Sequence, residues 1–267
     1  MPTATSSTTW RLLQSVTDAL LASVLAPTCA SCARPLESPT AGPVCERCWS
    51  NVRPCVPPQG GGIACRSAGS YEGELRDIIH AFKYEGRRSL ARRLAAMMRT
   101  AGADVLRDAE YVVPVPLHPW RRFRRGFNQA SDLAARLDVP VLHALWRVRL
   151  TATQTGLTAA ARRRNVRDAF RMSPLLTRAA RERLRGRAVV LIDDVRTTGA
   201  TLDACARVLL DVGCAREVRA VTAAGAPLYP RAADDDNRRG ATRARVDLGA
   251  ASGALVRDGV QRGHPVA

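Results

Sequence analysis

The chain has 267 residues, 46% of them apolar, enough to bury a sizeable core in one large domain or two small ones. Aromatic residues are only 4%, so that core is built mostly of Ala, Val and Leu, and no run approaches the roughly 18 apolar residues of a membrane span. The formal net charge of +17 suits a polyanionic partner, although a general bias toward arginine explains it equally well; Lys83 is the only lysine among 41 basic side chains.

Residues 1–28 read as a polar tip and a short helix, Trp10–Leu25. Its Leu12, Leu13, Val16, Leu20 and Val24 recur at helical spacing, Pro27 ends it, and its apolar face is expected to pack on the segment C-terminal to it. The apolar part, Ala19–Leu25, is short and lacks a basic flank, so no signal peptide is read and the expected location is the cytoplasm. Residues 29–62 form a second unit. Cys29-x₂-Cys32 is followed after twelve residues by Cys45-x₂-Cys48, the pattern of a zinc ribbon in which each knuckle presents two thiolates to one ion. A structural zinc site is the reading, with iron or redox chemistry as the alternative. Cys55 and Cys65 make no such pair and read as small buried side chains, and Gln59–Gly62 as a flexible connection.

Residues 63–226 read as an α/β domain. Ser70–Gly86 is a turn and an amphipathic helix with Leu75, Ile78, Ile79 and Phe82 inward, and Ser89–Met98 is a second helix. Tyr111–Val115 is a short strand and Phe127–Leu137 a helix; Ala188–Ile192 and Val218–Ala223 are strands flanking a Leu202–Leu210 helix. Strands alternating with helices predict a parallel sheet. Residues 227–267 have no apolar periodicity and read as a disordered tail.

The most informative run is VVLIDDVRTTGAT at Val189–Thr201. A buried strand leads to Asp193 and Asp194, then a turn of small and hydroxyl residues opens a helix. In an open parallel sheet ligands bind at the carboxyl ends of strands. A helix-opening turn offers N–H groups and the positive dipole end to a phosphate. The segment therefore suits a sugar phosphate; the plainer alternative is an acidic turn capping its own helix. A second run, VPVPLHPWRRFRRGFN at Val113–Asn128, also begins at a strand end, and its guanidiniums face either an anion or solvent. A third, QTGLTAAARRRNVRDAF at Gln154–Phe170, reads as a mobile basic lid or as an ordinary basic helix.

The Val189–Thr201 segment closely resembles the phosphoribosyl-pyrophosphate (PRPP) motif of type I phosphoribosyltransferases. Arg196 departs from it, standing where an apolar residue is usual. Taken together, LASVLAPTCASC, CERC, SYEGELRDIIHAFKYEG, VPVPLHPWRRFRRGFNQA, QTGLTAAARRRNVRDAF and LIDDVRTTGATLDACARVL resemble the ComF family in order and spacing over most of residues 21–225. The resemblance implies a type I phosphoribosyltransferase-like parallel sheet flanked by helices, with a small N-terminal zinc ribbon. It implies Asp193 and Asp194 as the catalytic, ribose-contacting acids, and Thr197, Thr198, Gly199, Ala200 and Thr201 as the 5′-phosphate loop. Leu117, His118, Arg124 and Arg125 would bind the diphosphate, Arg163, Arg164 and Asn165 would form the lid, and Cys29, Cys32, Cys45 and Cys48 would hold structural zinc. Lys83 and Tyr84 would line the hood over the acceptor. Mg²⁺ would enter with PRPP, and no residue stands out as a general base. The family's association with natural transformation implies a second reading, a non-catalytic competence factor whose partners are single-stranded DNA and a DNA-uptake helicase. For that reading Trp49, Trp120, Phe123 and Phe127 are available for stacking, and Trp120 and Phe123 alternate with arginines; the alternative is that they plug the loop onto the domain.

Overall fold

The structure, a computed structural model, describes residues 14–21, 23, 25–56, 62–148 and 168–226. All of them lie in one unit, Met1–Leu228. Its centre is a four-stranded parallel sheet of β1 (Cys65–Ser67), β2 (Tyr111–Pro114), β5 (Ala188–Arg196) and β6 (Glu217–Gly225), in the order β1-β6-β5-β2. A single bridge from Val112 to Val141 extends the sheet beyond β2. Two further strands, β3 (Leu145–Arg147) and β4 (Phe170–Met172), pair antiparallel on their own. They flank the segment read as a lid, whose Arg163, Arg164 and Asn165 lie outside the described residues, as does the tail.

The sheet is covered on both sides, which is why its strands read as continuous apolar runs. Period-2 alternation sorts the residues of β5 between two cores. Val190 and Ile192 join Val112 and Val221 under helices α2 (Gly73–Tyr84), α3 (Leu90–Ala101) and α6 (Gln129–Ala134). Val189 and Leu191 join Val113 and Ala220 under helix α8 (Ala200–Arg207) and the β3–β4 pair. Leu75, Ile78, Ile79 and Phe82 of α2 are fully buried, as their spacing predicts. A π-helical turn, Val208–Val212, follows α8 where the sequence predicts an unbroken helix to Leu210.

Several boundaries differ from expectation. Strand β5 runs four residues past Ile192, because β6 also continues and pairs Asp193 with Thr222, Val195 with Ala224 and Arg196 with Gly225. The acid pair is therefore inside a strand. PLHPWRRFRRG forms helix α5 (Pro119–Arg125), with His118 as N-cap, proline at the first position and Gly126 left-handed at φ 75° after the end. In the N-terminal helical segment Asp18 is the buried residue and accepts the Thr40 N–H at 2.8 Å, while Val16, Leu20 and Leu25 are exposed among the described residues. A polar anchor to the 38–42 turn holds it there. Among the described residues no helix is long and apolar enough to cross a membrane.

Candidate functional site

Topology places the site before any side chain is considered. From β2 the chain leaves toward Val141 on the outer side; from β5 it returns through α8 to β6 on the other. The gap between β2 and β5 is thus the point where strand order reverses, and such a switch point opens a crevice at the carboxyl ends. β2 stops at Pro114, which pairs with Ile192, and the last backbone bond across the gap is Val115 N–H to Ile192 carbonyl at 2.9 Å. One residue further, Asp193 and Asp194 have β6 on one side and the crevice on the other.

Alternation then sends the two acids to opposite faces. Asp194 shares the face of Ile192 and meets helix α2, where Lys83 Nζ donates to its Oδ1 at 2.8 Å. Both side chains are largely enclosed, 14% and 13% exposed. Burial disfavours the Lys83 charge, but Asp194 outweighs it and the lysine is held above its ordinary range. Asp193 shares the face of Leu191 and lies in the field of Arg147. Its Oδ1 accepts the Asp194 N–H at 2.8 Å. Burial first, and the neighbouring Asp194 carboxylate second, push Asp193 up to about 7 despite Lys83 and Arg147. Two adjacent carboxyls in one crevice thus sit in unlike environments, one locked to a cation and one that changes its protonation near pH 7.

The turn after β5 supplies an anion cradle. Gly199 is the N-cap of α8 at φ 80°, a left-handed conformation that favours glycine. Thr197 and Thr198 are exposed beside it, and Thr198 Oγ1 accepts the Ala200 N–H at 3.5 Å. The first N–H groups of α8 have no carbonyl within the helix to bond, so an oxyanion there would complete them. Arg196 Nε lies 3.5 Å from where a Cβ on Gly199 would be, so the residue that departs from the motif brings a cation against the turn.

Across the crevice is α5. Arg125 stacks on the Tyr84 ring at 4.7 Å, donates to the Tyr84 hydroxyl at 2.8 Å and reaches Gln129 Oε1 at 3.2 Å. Arg124 instead stacks on Trp120 at 5.2 Å. His118 Nδ1 accepts the Trp120 N–H at 3.2 Å; burial, then Arg147 and Arg121, hold this imidazole below its ordinary range. Leu117 lines a cavity of about 1080 Å³ beside the helix, together with Phe123, His143 and Trp146.

Well removed in sequence, the four cysteines of the CxxC pairs converge. The Cys29–Cys48 and Cys32–Cys45 sulfurs are each 3.8 Å apart, and all four lie within 4.8 Å of one another. Tetrahedral Zn²⁺ with Zn–S of about 2.3 Å requires sulfur–sulfur edges of about 3.8 Å, whereas a disulfide requires about 2.05 Å. The cluster therefore fits a four-thiolate zinc site with no open position. Burial opposes the charge on Cys29, but N–H groups of Cys32, Cys45 and Ser31 outweigh it and lower the thiol to about 7. The scaffold is spare: a Thr28–Pro35 bridge and helix α1 (Glu46–Ser50), which Cys45 caps. Of the four other cysteines, Cys65 is buried as expected and Cys55 is half-buried against Gly225, while Cys205 is buried and Cys214 exposed.

A phosphoribosyl transferase domain model matches residues 123–247, which include the acid pair and the turn. Competence protein F of Haemophilus influenzae is 31% identical over 202 residues, covering 69% of this chain and 85% of that protein. The chain belongs to the ComF family. DNA utilization protein YhgH of Escherichia coli (strain K12) is 36% identical over 159 residues, 54% of this chain and 65% of that protein. Among solved structures, glutamine PRPP amidotransferase from B. subtilis is similar at 19% identity and a TM-score of 0.33, over 57% of this chain and 33% of that one.

For this ComF-family chain the structure brings Asp193, Asp194 and Thr197–Thr201 together on β5 and the turn after it, with Lys83 on Asp194 and Arg125 on the neighbouring Tyr84. Arg147 is the residue that sequence reasoning misses. It comes from β3, a strand of three residues too short to register as periodic, and its guanidinium packs on Phe170 at 5.2 Å.

Proposed function

We propose that this protein binds PRPP with Mg²⁺ in the crevice between β2 and β5. The observation that carries the reading is the acid pair, split between the two sheet faces at the strand-order reversal and followed directly by the Gly199 turn. Asp193 and Asp194 take the ribose 2′- and 3′-hydroxyls, the Thr197–Thr201 turn takes the 5′-phosphate, and Leu117, His118, Arg124 and Arg125 take the diphosphate, with Arg163, Arg164 and Asn165 closing over it. The reaction this arrangement supports is phosphoribosyl transfer. An acceptor forms a bond to C1 and loses its proton, the C1–O bond breaks, and pyrophosphate leaves with the electron pair. The protein's contribution is positioning and charge stabilisation of the leaving group. Zinc at the four cysteines is structural, and the cytoplasm supplies both PRPP and the reducing conditions that keep thiolates free for metal.

The test is calorimetric titration of Mg²⁺–PRPP into the zinc-loaded protein and into Asp193→Asn/Asp194→Asn. Binding that the double variant abolishes supports the reading and opens a screen of acceptors for pyrophosphate release. No binding by the unaltered protein overturns it.

A second reading rests on a separate observation. Trp120 and Phe123 are 53% and 88% exposed on α5, between arginines, beside the large cavity. Aromatic faces with guanidiniums are the means by which single-stranded DNA is held without sequence preference. Relatives bear the names competence protein and DNA utilization protein. On this reading the chain is a competence factor that binds single-stranded DNA or a DNA-uptake helicase. Oligonucleotide affinity that falls steeply with salt supports it, and absence of binding at low salt refutes it.

A further inference from the structure

Lys83 stands out twice. It is the only lysine among 41 basic side chains, and it is enclosed at the acid pair. It comes one turn after Ile79 at the end of α2, so the apolar face of that helix carries its stem toward the sheet. A buried ammonium is costly unless paired, and here it is paired at 2.8 Å with Asp194. An ammonium carries three N–H donors; Asp194 takes one, and among the described residues no other acceptor is bonded to it. Arginine would replace this compact charge with a broad planar fork. A chain that otherwise uses arginine throughout has, at this position, the smaller head.

The next residue fixes the direction. Tyr84 holds Arg125 of α5 through its ring and its hydroxyl. Two consecutive residues of α2 thus reach Asp194 and Arg125, one to the ribose acid and the other to the diphosphate segment. We propose that Lys83 is a ligand-contacting residue: one N–H fixes Asp194, and the remaining donors bind oxygens of the diphosphate on a sugar phosphate seated in the crevice. This rests on the PRPP reading above. As the C1–O bond breaks, the electron pair goes to the diphosphate, and a fixed ammonium beside it offsets the growing charge.

The experiment compares Lys83→Gln with the unaltered zinc-loaded protein for affinity toward Mg²⁺–PRPP, Mg²⁺–pyrophosphate and ribose 5-phosphate. Loss of a charged hydrogen bond to the diphosphate predicts weakening of about tenfold or more for the first two and less than about threefold for ribose 5-phosphate. Equal weakening of all three, or none, overturns the proposal. Because the variant loses a buried ion pair, a second measurement uses the unaltered chain. With ¹⁵N-lysine labelling, Lys83 gives a single side-chain ammonium signal. The signal is expected to move on adding Mg²⁺–PRPP or Mg²⁺–pyrophosphate and to stay with ribose 5-phosphate. A protein that binds Mg²⁺–PRPP with no movement of this signal sinks the Lys83 proposal alone. A protein that does not bind Mg²⁺–PRPP sinks the PRPP reading and the Lys83 role with it.

Discussion

Asp193→Asn should make this protein more stable at neutral pH while removing its ligand affinity. The carboxyl is raised from 3.8 to about 7, by burial and by Asp194. Between those two values the folded protein holds a proton that the unfolded chain has already lost. Stability therefore falls as pH rises through that window, and the deficit is complete above pH 7. At about 1.4 kcal/mol per pH unit the displacement comes to about 4 kcal/mol, and partial solvent contact of the carboxyl brings the expected cost to about 2–4 kcal/mol. Asparagine keeps the shape and keeps an oxygen for the Asp194 N–H, but carries no charge. Urea unfolding of both proteins, zinc-loaded, at pH 5 and pH 8 reads the effect. The variant should be the more stable at pH 8, and its advantage should grow by about 1–3 kcal/mol between the two pH values. An advantage that is constant or shrinks, or a variant weaker at pH 8, would refute the assignment of an unfavourably placed carboxyl. Gained stability with lost Mg²⁺–PRPP binding is the signature of a residue kept for function at a cost to the fold.

Cys45→Ser should take bound zinc from about one ion per chain to well below one and unfold the N-terminal lobe, since metal binding is folding energy in so small a unit; unchanged metal by elemental analysis would refute the cluster. Gly199→Val forces a β-branched side chain to φ 80°. It should cost about 1–2 kcal/mol in thermal unfolding and weaken Mg²⁺–PRPP binding, and unchanged affinity would place the phosphate elsewhere. Trp120→Ala/Phe123→Ala removes exposed rings, so stability should change by less than about 1 kcal/mol. On the second reading, affinity for oligo-dT should fall by about 1–3 kcal/mol per stacked base in fluorescence anisotropy, and an unchanged value would exclude these rings as stacking platforms.

How much of the molecule is legible in the sequence depends on how local each signal is. The α2 core residues, the central strand, the acid pair and the two CxxC knuckles are legible because each is set within a dozen residues. Helix α5 escapes a reading by periodicity because its seven residues bury nothing and show no apolar period. Its proline start and glycine stop are nevertheless there to be read. Strands β3 and β4 are three residues each and depend on each other for pairing, so nothing local announces them. The extension of β5 through Arg196 likewise depends on β6. Among the described residues, Val16 and Leu20 of the N-terminal apolar stripe are exposed rather than packed, for a related reason. The hydrogen bond from Thr40 to Asp18 joins residues far apart in sequence, and spacing alone does not reveal such a partner. The Lys83–Asp194 contact is also long-range, yet composition points to Lys83 by its being the sole lysine.

The two functional readings meet on adjacent faces of α5 and share Arg124, and the geometry lets one protein serve both. Arg121 and Arg125 are one helical turn apart, and Arg125 is turned inward onto Tyr84 and Gln129 beside the crevice. Trp120, Phe123 and Arg124 form the adjacent face, with Arg124 stacked on Trp120 and Phe123 nearly fully exposed. His118 caps the start of the helix by accepting the Trp120 N–H, and beyond its end Asn128 donates to the Val115 carbonyl, just after β2, at 3.1 Å. A short helix held this way transmits a shift at one face to the other as a rigid unit. If both ligands bind, they should therefore be coupled, and by linkage the coupling must be reciprocal: Mg²⁺–PRPP should change oligonucleotide affinity by the same factor that oligonucleotide changes Mg²⁺–PRPP affinity. Two titrations, each repeated with the other ligand saturating, measure it. Equal affinities in both pairs would mean that the faces act independently and that α5 merely separates two sites.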